Sequence, residues 1–273
     1  MEKLITNGIT IFYEPQERAT ADQVRLACER SSSIVNEQWG LKIPPNSRLY
    51  VMTNWKDFMF QSSAGYRRLL LKVTYPLWAK RVQQMWNSAG GWNLPAKDGP
   101  VIGIKPFRLM QEGDPSFGGL VFIEEPDPDK KLQQVTCHEL MHAITSHLKL
   151  PLWLREGFAM LMVDRIFECS TVKSESLELL KGEYNGYEAE EYREIKIKDP
   201  EYVAFQVARG YWLTRYLAET KPDLLRSFLH ERLPRPELEA KVTGALKIDP
   251  ENLWDEVDEL LVDYFEQLEA PTY

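Results

Sequence analysis

The stretch from Asp127 to Pro151 constrains this chain more than any other. Asp127 can cap a helix, Pro128 suits the first helical position, and Asp129 faces the positive end of the dipole. A helix is therefore predicted from Pro128 to about Leu148, stopping before Pro151. Val135, Leu140, Met141, Ala143 and Ile144 make it apolar on several sides, so it belongs inside the molecule. Yet "HELMH", residues 138–142, puts two histidines and a glutamate on it. Three ionisable groups on one buried stretch are costly unless something compensates them, and a metal ion would.

Residues four apart on a helix lie about 40° apart around its axis, so His138 and His142 share a face. Both imidazoles can then reach one zinc ion, at about 2.0–2.1 Å from each nitrogen. Glu139 sits about 100° from His138, beside the pair, where it can reach a water on the ion without occupying the ion. A catalytic zinc site usually takes three protein ligands. An extended HExxHxxGxxH pattern would need a ligand at 148 and a helix break at 145, where the chain has Leu148 and Thr145. His147 points about 140° away from His142.

The third ligand is instead expected from a second helix. After "LKLPL", the segment "WLREGFAMLM" sets Glu156 at the start of that helix, with Gly157 beside it to permit close approach of backbone or substrate. Glu156 is predicted to complete the site. Cys137, on the side of His138 away from Glu139, is read as structural, Cys28 and Cys169 are read as core thiols, and His147 and His230 are expected in the core.

Strands are expected at 8–14, 47–53, "VIGI" and "GGLVFIEE" (118–125), and helices at 20–40, 152–168, 203–219, 222–231 and 250–268. Residues 66–86 are mixed and take no assignment, while 90–100, rich in Gly and Pro, reads as loop. The fold class is α+β: one domain, 1–273, with a small mixed sheet and the active helix in an N-terminal half (1–149). An all-helical half follows (150–273), with a cleft between the two.

A net charge of −8 argues against nucleic-acid partners. Three cysteines without CxxC spacing suit a reducing compartment. The N-terminus lacks a signal-length apolar run, and nowhere do about 18 apolar residues stand together. The expectation is a soluble cytoplasmic protein without a membrane partner. Oligomeric state and substrate are not readable.

"HELMH" followed by "LPLWLREGFAMLM" resembles the gluzincin metallopeptidases, in particular the peptidase MA-like domains and minigluzincins. Pro151, Trp153, Leu154, Gly157 and Ala159 match the flanking pattern. The resemblance implies a zincin-like fold and Zn²⁺ held by His138, His142 and Glu156. It also implies Glu139 as general base and acid, and an extended peptide substrate lying along an edge strand, here assigned to 118–125. A tyrosine that the family offers to the oxyanion falls at Val207; Tyr211, one turn on, is the substitute, with Tyr202 another. A carboxylate one turn past Glu156 is replaced by Met160, with Asp164 two turns on. The implied activity is peptide-bond hydrolysis. The alternative is a binding or regulatory module that keeps the zinc fold without turnover, or one blocked by its own tail, "LEAPTY".

Overall fold

The computed structural model describes residues 1–63, 65–94, 98–110, 118–182, 184 and 200–269. The tail residues 270–273 lie outside these. The chain forms two compact units, Met1–Pro115 with Glu125–Ser146, and Ser116–Glu124 with His147–Tyr273.

The first unit opens with a hairpin of β1 (Glu2–Thr6) and β2 (Ile9–Tyr13). Its two-residue turn, Asn7-Gly8, has φ of 45° and 81°, the left-handed pair that a tight hairpin with right-twisted strands requires. Helix α1 (Arg18–Trp39) ends at Gly40, whose φ of 68° lets its N–H reach back to the Asn36 carbonyl. Strand β3 (Ser47–Val51) follows, then α2 (Trp55–Gln61) capped by the Asn54 side chain, α3 (Gly65–Val73) and α4 (Tyr75–Ser88). Strands β4 (Gly91–Leu94) and β5 (Val101–Ile104) complete a five-stranded sheet of order β1-β2-β3-β5-β4. The three central strands are parallel, and the outer two run antiparallel to their neighbours.

A single turn, α5 (Phe107–Met110), closes this run, and another, α6 (Gly118–Val121), belongs to the second unit. Helix α7 (Pro128–Thr145) returns to the first unit and packs on α1, β4 and β5. Asp127 caps it through the amides of Asp129 and Lys130, as its sequence predicts. The core lies between sheet and helices: Ile9, Ile11, Leu49, Ile102 and Ile104 meet Val24, Cys28, Cys137, Leu140 and Ile144, all essentially inaccessible.

The second unit holds α8 (Leu152–Phe167), α9 (Pro200–Thr220), α10 (Pro222–His230), α11 (Arg235–Leu246) and α12 (Leu253–Glu269). Helices α8 and α9 pack tightly at Gly157, where a Cβ would stand 2.0 Å from the Gly210 carbonyl oxygen. Buried Arg209 on α9 grips Asp258 on α12 through two bonds, of 2.7 and 2.5 Å. The class is α+β, as expected, and among the described residues the strands lie in the first unit apart from one isolated bridge.

Three expectations fail. Residues 118–125 are not a strand: Gly118–Val121 is a helical turn, and Phe122 makes one isolated bridge to Val172. Paired glycines extend poorly, and Pro126 has no N–H with which to continue a ladder. An edge strand, β4, lies instead inside the segment read as loop; its four residues are too few for alternation to stand out among Gly and Pro. His147 and His230 are exposed, and Cys169 is half-buried, rather than in the core, because each sits at or just past a helix end that turns to solvent.

Candidate metal centre

On α7, the pattern that buries Leu140, Met141, Ala143 and Ile144 leaves His138 and His142 half-buried on their common face. Their Nε2 atoms stand 2.9 Å apart and the rings cross at 86°. Two nitrogens on one tetrahedral zinc would be about 3.3 Å apart, so the pair is close to ligating geometry. Cys137 takes no part. It is fully buried beside Cys28 of α1, and burial pushes both thiols up to about 12, where they stay protonated and inert.

Glu139 is buried beside the histidines and tied to β4. Along that strand Trp92 and Leu94 pack toward Tyr50, Phe58 and Val101, so the alternate residues, Gly91 and Asn93, face α7. The Asn93 Nδ2 donates to the main-chain carbonyl of Glu139 at 2.7 Å and to its Oε2 at 2.8 Å. Gly91 leaves the space: a Cβ there would lie 2.4 Å from Glu139 Cγ. Sequence reasoning missed both contributors. The signal was one polar residue between two large apolar ones, Trp92-Asn93-Leu94, just before β5.

Glu156 lies in the early turns of α8 and is 4% exposed. Its Oε1 accepts from Arg155 Nε at 3.2 Å, and the neighbouring Gly157 is pressed against the α9 backbone. The close approach that Gly157 permits is thus backbone on backbone. His138, His142 and Glu156 can each offer one ligand atom, all within 4.8 Å of one another. No other group of three His, Cys, Asp or Glu among the described residues does so. Two imidazoles and one carboxylate are donors that several divalent transition metals accept, zinc among them, so the residues present fit such an ion.

Tyr211 and Asp164 have a different arrangement. The Tyr211 hydroxyl, 2% exposed on α9, donates to Asp164 Oδ2 of α8 at 2.7 Å. Asp164 Oδ1 accepts from the amide of Thr171 and from its hydroxyl. Burial raises the Asp164 carboxyl against the lowering effect of these donors, and burial with the nearby Asp164 charge raises the Tyr211 phenol. The pair ties α8 to α9, and the one hydroxyl proton of Tyr211 is committed to it. Val207 is buried and Tyr202 packs on Tyr184 and Phe205.

No helix among the described residues is long and apolar enough to cross a membrane. The chain matches no protein-family model and no curated protein.

Proposed function

We propose that this chain is a zinc-dependent metallopeptidase with a gluzincin-type centre, a zincin-like variant of the α+β class. His138, His142 and Glu156 hold the ion. The observation that carries this reading is the grouping of those three ligand atoms, with a second carboxylate, Glu139, beside the histidine pair on α7 and braced by Asn93. When bound, zinc supplies Lewis acidity, lowering the pKa of water towards ~7 and polarising the scissile carbonyl.

Glu139 takes the proton of the attacking water as its oxygen adds to the carbonyl carbon. It then delivers that proton to the departing amide nitrogen as the C–N bond breaks, and the proton of the new carboxylic acid passes to the freed amine, leaving a carboxylate and an ammonium group. Strand β4 is one edge of the sheet and packs on α7, so its backbone N–H and C=O groups suit an extended peptide. Tyr211 takes no part in the chemistry, since turning its proton to an oxyanion would leave the buried Asp164 Oδ2 without the donor it has. Three cysteines outside any disulfide suit a reducing compartment such as the cytoplasm.

The test is metal content and cleavage of a quenched peptide library. Wild-type protein should bind about one zinc and lose activity to a chelator. Glu139→Gln should keep the zinc and lose at least ~10³-fold in turnover, whereas Glu156→Ala should weaken zinc binding about 10–100-fold or more. A wild type that holds zinc and cleaves nothing would make the chain a binding module. Unchanged zinc affinity in Glu156→Ala would remove the three-ligand site.

A further inference from the structure

Helix α3 carries a stripe of large apolar side chains in solvent. Tyr66, Leu69, Leu70 and Val73 are 81, 66, 57 and 72% exposed, and Leu77 in the first turn of α4 is 86% exposed. The i, i+3, i+4, i+7 spacing gathers the four α3 residues into an arc of about 100°. That is the width by which a helix of a globular protein faces its core, but here it faces outward. Arg67 and Lys72 stand about 60° beyond the two edges of the arc, and Arg68 lies on the opposite face.

Helix α4, which follows α3 after Thr74 alone, is anchored. Tyr75 and Trp78 of α4 pack on Trp55 and Phe60 of α2, and the Trp55 indole donates to Gln83 at 2.5 Å. The outward stripe is therefore held in place by a built aromatic cluster. Charge follows the same division. Between Asp57 and Asp98 the chain has no acidic residue and six basic ones, Arg67, Arg68, Lys72, Lys80, Arg81 and Lys97, although the whole protein is −8. Among the described residues Arg67, Arg68, Lys72 and Lys80 form no ion pair with a carboxylate; Arg68 donates to the Ser63 carbonyl and Lys72 lies over the Phe60 ring.

A surface of this kind matches a partner that is negative at its face and apolar beneath. Nucleic acid would use the cations and gain nothing from Leu69, Val73 or Leu77. A protein partner gains most from pockets that grip side chains, whereas a bilayer needs only a stripe with cations along its borders. We propose that the α3–α4 segment docks flat on an anionic lipid bilayer. Its Tyr66–Leu77 stripe sinks about 5–10 Å into the headgroup boundary, and the flanking Arg and Lys pair with lipid phosphates and carboxylates. The expectation of no membrane partner rested on the lack of a spanning apolar run, which bears on crossing a membrane and not on lying upon one. The proposal is independent of the peptidase reading.

The test is flotation of the full chain with vesicles of phosphatidylcholine alone and with vesicles about one-third phosphatidylserine. Binding should be at least about tenfold tighter to the anionic vesicles and should weaken as salt rises. The paired change Leu69→Glu/Val73→Glu, at positions already in solvent, should lower it about tenfold or more, and Arg67→Glu/Lys72→Glu should abolish the preference for anionic lipid. Equal or absent binding of the wild type to both vesicles overturns the proposal without reference to any variant. So does binding unchanged by Leu69→Glu/Val73→Glu. A concentration-dependent dimer that this variant dissolves, with no lipid binding by the wild type, assigns the stripe to a second copy of the chain instead.

Discussion

The side-chain amide of Asn93 holds Glu139 at two points, bonding its main-chain carbonyl at 2.7 Å and its Oε2 at 2.8 Å. One residue of the edge strand thereby fixes both where the helix passes and which way the carboxylate turns. A buried carboxylate with a single fixed rotamer loses little order when it takes a proton from water, so the brace acts on turnover rather than on metal binding. Under the peptidase reading, Asn93→Ala should lower kcat about 10–100-fold while KM and zinc content stay close to wild type. In the Glu139→Gln background the same change should have little further effect. An equal loss in both backgrounds would reduce Asn93 to a structural residue.

Gly157 and Gly210 set how closely α8 approaches α9. Replacing Gly157 by Ala would put its Cβ 2.0 Å from the Gly210 carbonyl oxygen and 2.2 Å from Thr214 Oγ1, and a helix backbone cannot yield by that much. The helices must part. Gly157→Ala should cost about 3 kcal/mol or more in urea unfolding, despite alanine's higher helix propensity. Gly244→Ala in α11, where the new methyl meets nothing within 4 Å, should instead stabilise by about 0.5–1 kcal/mol. Equal effects at the two sites would show that the close approach does not matter.

The helices bearing caps could be read before any coordinates, because a cap is a local event. Asp127-Pro128, Gly40 and Asp249-Pro250 each stand where a helix begins or ends, and the side chains of Asp127 and Asp249 accept the first amides. The histidine pair was legible for the same reason, since four residues of helix fix it. Glu156 follows only 14 residues after His142, on the next helix, and needed one guess about that helix. Asn93 lies 46 residues from Glu139, and Arg209 lies 49 from Asp258, so neither partnership leaves a periodic trace. Strand β4 was hidden by its length and its glycines. Helices α3 and α4 were hidden because apolar residues serve two opposite faces there, one on α2 and one in solvent, which blurs the 3.6-residue period.

The two buried thiols make the first unit sensitive to alkali. Burial raises Cys28 and Cys137 from 9.0 to about 12. Between pH 9 and 12 the unfolded chain releases thiol protons that the folded chain keeps, so the unfolded state binds fewer protons and stability falls as pH rises. Their contribution is complete below about pH 9 and is lost progressively up to about 12, at most ~4 kcal/mol per thiol over the window. Stability of Cys28→Ala/Cys137→Ala, followed by urea unfolding from pH 8 upward, should decline less steeply than that of wild type. Parallel curves would mean that the thiols ionise without penalty.

Arg209 and Asp258 are both fully buried, joined by two hydrogen bonds, with the guanidinium stacked 4.3 Å from the Phe205 ring centroid and 5.1 Å from that of Trp254. Each charge is tolerated there because the other is present. Removing one leaves the survivor desolvated, and its loss of a partner costs more than the pair contributes over an apolar replacement. Arg209→Met alone and Asp258→Leu alone should each destabilise by about 3–5 kcal/mol, and the double variant by clearly less than their sum. The double variant keeps the volume and the aromatic contacts while discarding both charges, so it should still unfold cooperatively. Strictly additive losses in the double-mutant cycle would show that the two side chains contribute through separate contacts and not as a pair.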